Sequence, residues 1–123
     1  TGCGSVIVDS RNIVRSLGYN GLPRRVDDHP ERLHNRELRL ALTLHAEANA
    51  ILHSQHPIRG CTLYVWPMPP CSACASALIQ AGISRVVAPA PHPQLAERWG
   101  ESIELAIMAM REAGVKVDIL DRP

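Results

Sequence analysis

Residues 62–88 read TLYVWPMPPCSACASALIQAGISRVVA, and their order of residue types decides the fold class. Thr62 to Trp66 is a β-branched and aromatic run that reads as a buried strand, ended by Pro67, Pro69 and Pro70. Cys71 to Ala81 is rich in Ala and Leu, with proline just before its first turn and Gly82 after its last, which predicts a short helix. Ser84 to Ala88 returns to a β-branched run and reads as the next strand. A strand, a helix and a second strand in so few residues form a βαβ unit, and such units imply a layered α/β fold with helices on both faces of the sheet.

The flanks extend that pattern. Cys3 to Asp9 and Asn12 to Leu17 are apolar runs about a polar Asp9-Ser10-Arg11 and read as a hairpin, followed by a turn at Gly18 and Gly21. Leu22 to Glu37 is polar, with Pro23, Pro30 and several arginines, and reads as a long surface loop of the kind that often binds ligands. Leu38 to Ser54 is helical in composition, broken near Thr43, which is expected to cap a helix starting at Leu44 or His45. Leu95 to Ala113 predicts one or two helices, Gly114 a stop, and Val115 to Leu120 a last strand. No internal repeat or low-complexity tract interrupts the 123 residues, which are read as a single domain. The chain has no initiator Met and opens almost at once on a strand-like run, so an N-terminal segment is expected to have been lost from it.

Composition narrows the function. Thirteen basic and twelve acidic side chains leave a net charge of +1, which disfavours a polyanion-coating protein. Two Trp, two Tyr and no Phe supply a single-strand nucleic-acid platform poorly. No apolar run approaches the roughly 20 residues of a membrane span and no signal segment is evident, so a cytoplasmic protein is expected. In a reducing compartment four cysteines suggest metal or catalytic use before disulfides.

Two short motifs carry that chemistry, His45-Ala46-Glu47 and Pro70-Cys71-Ser72-Ala73-Cys74. Cys71 and Cys74 lie one helical turn apart, so both thiols can face one point. His45 falls at the start of the preceding helix, and helix N-termini favour thiolate over thiol. One imidazole and two thiolates neutralise a Zn²⁺ ion, and three protein ligands leave a fourth position for water, the pattern of catalytic zinc. Glu47, two residues beyond a ligand, can stand beside that water and carry its proton. A structural zinc completed by Cys3, Cys61 or a histidine, and a redox Cys-x-x-Cys pair, are the alternatives; both leave Glu47 without a role. Cys3 and Cys61 otherwise read as small buried residues.

The chain resembles the deoxycytidylate deaminase branch of the cytidine deaminase superfamily, through GSVIVD (4–9), GYNGLPR (18–24), LTLHAEANAIL (42–52) and GCTLYVWPMPPCSACASALIQAGISRVV (60–87). The resemblance implies a three-layer αβα sandwich about a central mixed five-stranded sheet. It implies that His45, Cys71 and Cys74 hold one zinc ion, that Glu47 shuttles protons, that Asn20 bonds the sugar and that the Ala46 backbone lies against the base. It also implies a homo-oligomer, for which the apolar helix of Ala73, Ala75, Ala77, Leu78 and Ile79 offers a contact. The helix that usually precedes the first strand in this family is absent, and Ala88-Pro89 stands where relatives often have Tyr. The function expected is zinc-dependent deamination of a free pyrimidine deoxynucleotide, dCMP to dUMP. Arg24 and Arg25, with Arg32 and Arg36 in the same loop, are the candidates for its phosphate. The rivals are a deaminase of a base in tRNA or single-stranded DNA and an inactive nucleotide-binding module that keeps zinc for stability.

Overall fold

The computed structural model describes residues 2–27, 29–30 and 35–121. Strands β1 (Gly4–Val8) and β2 (Val14–Tyr19) form the expected hairpin. Helix α1 (Arg36–Leu42) leads to α2 (Ala46–His53), and β3 (Thr62–Trp66), α3 (Ser72–Ala81), β4 (Arg85–Pro89), α4 (Pro93–Glu112) and β5 (Lys116–Leu120) follow. The sheet order is β2-β1-β3-β4-β5. Its first three strands are antiparallel neighbours, while β3, β4 and β5 run parallel, so the sheet is mixed as expected.

Register shows which face is packed. Ser5 pairs with Val65, Ile7 with Leu63, Leu63 with Val86 and Val86 with Val117, so these side chains share one face. Ile7, Leu63 and Val86 are fully buried against Ala50 of α2, Ala75 and Leu78 of α3, and Ala106 and Met110 of α4. The crossovers β3-α3-β4 and β4-α4-β5 move the same way along the sheet, and the right-handed rule puts both helices on that one side. The opposite face carries no described helix: Leu17, Tyr19, Tyr64, Trp66 and Leu120 stand exposed on it. The outer helical layer of a three-layer sandwich is therefore not among the described residues.

Several local expectations are corrected. Gly18 is not a turn residue but part of β2, directly beneath α2. A Cβ there would collide with the Ala46 carbonyl oxygen and lie 2.5 Å from the Ala50 amide nitrogen, so only glycine admits α2 this close. Thr43 does not cap α2. It ends α1, with its amide and hydroxyl both donating to the Arg39 carbonyl. Arg36 and Glu37, expected at the end of the long loop, instead open α1, which Asn35 caps with its Oδ1 accepting from the Leu38 amide at 3.2 Å. Strand β3 is buried on one face only, with Tyr64 and Trp66 half exposed on the other. Residues 93–112 form one helix with proline at its start. Cys61 is buried as expected, but Cys3 is only partly so.

Two contacts tie this scaffold to the residues before α2. Gly21 and Leu44 exchange backbone hydrogen bonds of 3.1 and 2.8 Å, pinning the segment after β2 to the approach to His45. Ser5 and Ser16, both buried, donate to the Ala46 and Ala50 carbonyls at 2.8 and 2.6 Å, which fixes α2 along the first two strands.

Candidate metal centre and its pocket

His45 and Cys71 occupy equivalent places, each the N-cap residue of its helix, and neither side chain caps the amides behind it. Both turn instead toward a common point, where Cys74 arrives from one turn further along α3. His45 Nδ1 lies 3.2 Å from Cys74 Sγ and 3.4 Å from Cys71 Sγ. A tetrahedron with Zn–N and Zn–S bonds of about 2.0 and 2.3 Å has N···S edges of about 3.5 Å, so the three donors are spaced for this metal. They also form the one His, Cys, Asp and Glu cluster among the described residues with metal-binding spacing. The donor set suits zinc chemically, because thiolate and imidazole together favour a borderline-soft ion over calcium or magnesium.

The electrostatics agree. Hydrogen bonding from the Cys74 thiol, opposed by burial and aided by His45, lowers the Cys71 thiol to about 4. The same contact with Cys71, together with burial, pushes Cys74 well up. The pair thus holds one negative charge readily and resists a second, which a dication at this point would stabilise. His45 is raised, chiefly by its hydrogen bond to Cys71.

Glu47 follows on the first turn of α2 and is 6% exposed. Burial raises its carboxyl above the ordinary range, with the Cys71 charge acting in the same direction, so a proton is held more readily than on a surface glutamate. It lines, with His45, Ala46 and Cys71, the floor of an open pocket of about 780 Å³. The Trp99 ring stands edge-on to the His45 ring, at 6.0 Å between centroids and 89° between planes.

The structure brings His45, Ala46, Glu47, Cys71, Cys74 and Asn20 to one place. Asn20 lines the pocket with its Oδ1 accepting from the Cys3 amide at 2.9 Å, which orients the side chain. Arg24 and Arg25 are exposed in the following turn and do not line the pocket, and Arg32 lies outside the described residues. The arginines that do line it are Arg36 and Arg39 of α1 and Arg98 of α4. Sequence reading missed Arg39, Arg98, Trp99 and Cys3. The only signal for Trp99 is a lone aromatic in the polar run Gln94 to Gly100, and nothing in the spacing marks Arg98.

Residues 1–90 match the family described as the cytidine and deoxycytidylate deaminase zinc-binding region. Over 117 residues, 95% of this chain and 78% of the other, the chain is 40% identical to an uncharacterized deaminase in the luxG 3′ region of Aliivibrio fischeri. It is 37% identical to the deoxycytidylate deaminase of Homo sapiens over 68% of this chain and 50% of that one. The chain thus spans most of the bacterial relative and about half of the human one. Among solved structures, the dCMP deaminase of cyanophage S-TIM5 in complex with dCMP and dUMP superposes with a TM-score of 0.71 at 23% identity. That match covers 96% of this chain and 80% of the other and shows a shared fold. With the family match extending through His45, Glu47, Cys71 and Cys74, the chain belongs to the cytidine and deoxycytidylate deaminase zinc-binding family.

Proposed function

We propose that the chain, acting as one domain, hydrolytically deaminates a free pyrimidine deoxynucleotide, converting dCMP to dUMP with release of ammonia. The observation that carries this reading is the buried carboxylate of Glu47 in the pocket floor, two residues from a metal donor and outside the donor set. A purely structural zinc site has no use for it. Its relatives include named deoxycytidylate deaminases, which supports the choice of substrate.

His45, Cys71 and Cys74 would hold the zinc ion, which when bound would supply a Lewis acid able to make water a nucleophile near neutral pH. Glu47 accepts the proton from the attacking water and delivers it to N3 of the ring. As the water oxygen bonds C4, its remaining proton is taken up by Glu47 and passed to the exocyclic amine, so that C4=O forms while the C4–N bond breaks and ammonia leaves. Asn20, held by the Cys3 amide, takes the sugar, and the buried Ala46 backbone packs against the base. No described helix is long and apolar enough to cross a membrane, and we place the activity in the cytoplasm, where thiols stay reduced. We also propose self-association, through the exposed small residues Ala73, Ser76 and Ala77 of α3.

The test is ammonia release by zinc-loaded protein across cytosine, cytidine, deoxycytidine, CMP, dCMP, dCTP and a cytosine-containing oligonucleotide. The expected result is highest kcat/KM on dCMP. Preference for the oligonucleotide would return the nucleic-acid reading, and full zinc with no turnover of any compound would return the inactive module.

A further inference from the structure

We propose that Trp99 of α4 is a positioning residue for the metal centre, its indole ring holding the His45 imidazole with Nδ1 turned toward the two cysteine sulfurs. The proposal adds to the deaminase reading a residue outside the donor set. It rests on His45, Cys71 and Cys74 holding zinc, not on the identity of the substrate.

The surroundings of His45 call for such a neighbour. As the N-cap residue of α2 its side chain makes no capping hydrogen bond. Among the described residues its ring is hydrogen-bonded through Nδ1 alone, at 3.2 Å from Cys74 Sγ and 3.4 Å from Cys71 Sγ. A metal-binding histidine is usually steadied by a partner on its other ring nitrogen, which fixes the plane of the ring. Here no described carboxylate, carbonyl or hydroxyl takes that place, and the remaining contact of the ring is with Trp99. The two centroids lie 6.0 Å apart with 89° between the planes, the edge-to-face arrangement that aromatic pairs prefer. Turning the imidazole about its bond to Cβ would break that arrangement and carry Nδ1 away from both sulfurs at once.

The indole is itself held in place. The guanidinium carbon of Arg98 lies over it, 5.4 Å from the ring centroid. Leu95, Trp99 and Ser102 stand at i, i+4 and i+7 of α4 and therefore share one face of that helix. Leu95 is buried, and Ser102 Oγ accepts from the Ser72 amide at 2.9 Å at the start of α3. The face that brings Trp99 to His45 is thus fastened to the helix that carries Cys71 and Cys74. One helix, α4, braces the donors of both motifs, and Trp99 is its contact with the histidine.

The test compares the unmodified chain with Trp99→Met, which fills the space without a ring, Trp99→Phe, which keeps a ring, and Leu105→Ala on the exposed side of the same helix. Zinc affinity, read by competition with a chelator, should fall about 10- to 100-fold in Trp99→Met. It should be largely recovered in Trp99→Phe and unchanged in Leu105→Ala. The visible absorption bands of the cobalt-loaded protein, which follow the geometry around the ion, should shift in Trp99→Met alone. With zinc saturating, kcat on dCMP should fall in Trp99→Met while KM changes little. Should Trp99→Met fail to fold, the emission of Trp99 as the remaining tryptophan of Trp66→Phe decides: it should change when zinc is added, and an unchanged emission overturns the proposal. Equal zinc affinity in all four proteins, or equal losses in the Met and Phe variants, would also overturn it. So would a rise in KM alone, which would make Trp99 a wall of the substrate pocket. A chain that holds zinc and deaminates no cytosine compound loses the deaminase reading, and the zinc affinities then decide the role of Trp99 on their own.

Discussion

Asp9 organises the β1–β2 connection with a single carboxylate. Its Oδ1 accepts from the Arg11 and Ile13 amides at 2.8 and 3.1 Å, and its Oδ2 takes the Arg15 guanidinium at 2.9 Å. The Ile13 amide first, then the Arg11 amide and Arg15, hold this carboxyl below its ordinary value of 3.8. Because the folded value is the lower one, the contribution to stability is complete above the ordinary value and is lost as pH falls through the folded one. Urea midpoints measured near neutral pH and at about pH 3 should therefore fall further for the unmodified protein than for Asp9→Asn. Parallel falls would show that the carboxylate contributes nothing through its ionisation. Asp9 was legible as a turn residue because Asp in a short polar break bonds its own following amides, a local effect. Gly18 was not, because its reason lies 28 and 32 residues away in Ala46 and Ala50. The sequence shows two nearby glycines; only the tertiary contact shows that one of them makes room for a helix.

At the scale of elements, α2 and α3 share an arrangement in which a metal donor stands where a capping residue would. The amides behind it need other partners, and α3 finds one across the structure. The Ser72 amide donates to Ser102 Oγ of α4 at 2.9 Å, and that hydroxyl donates on to Ser72 Oγ at 3.1 Å. Ser102 thus caps α3 from outside and leaves Cys71 turned toward His45. Replacing it by alanine should cost about 1 kcal/mol, as loss of a helix cap does, and should speed zinc release to a chelator. Thermal melts and a chelator time course check both; an unchanged rate of zinc loss would mean that the cap does not hold the donor in place. The Cys-x-x-Cys helix could be read from sequence because its spacing and stops are local, and the break near Thr43 was found for the same reason. The role of Thr43 was misassigned because a hydroxyl can serve either end of a helix break, and here it serves the carbonyl of α1.

Across the whole molecule, one face of the sheet holds the core and the site's supporting helices, while the other leaves Leu17, Tyr19, Tyr64, Trp66 and Leu120 in the open. With the exposed Ala73 and Ala77 of α3, these side chains offer apolar surface on which a second copy of the chain could pack. Light scattering at micromolar concentration should give a mass above that of one chain, and a monomer alone would contradict self-association. Strand and helix order was readable here because each strand carries its own pattern. Of the arginines that line the pocket only Arg36 was readable, because the early loop places Arg24 outside it and Arg98 comes from a helix, 53 residues beyond His45. The site divides its labour between three metal donors and one carboxylate. The most direct test is the zinc content of Glu47→Ala measured together with its rate of ammonia release from dCMP. Glu47→Ala should hold about one zinc per chain, as the unmodified protein should, with turnover lowered at least about 10²- to 10⁴-fold. Loss of zinc, or turnover near that of the unmodified chain, would contradict that division of labour.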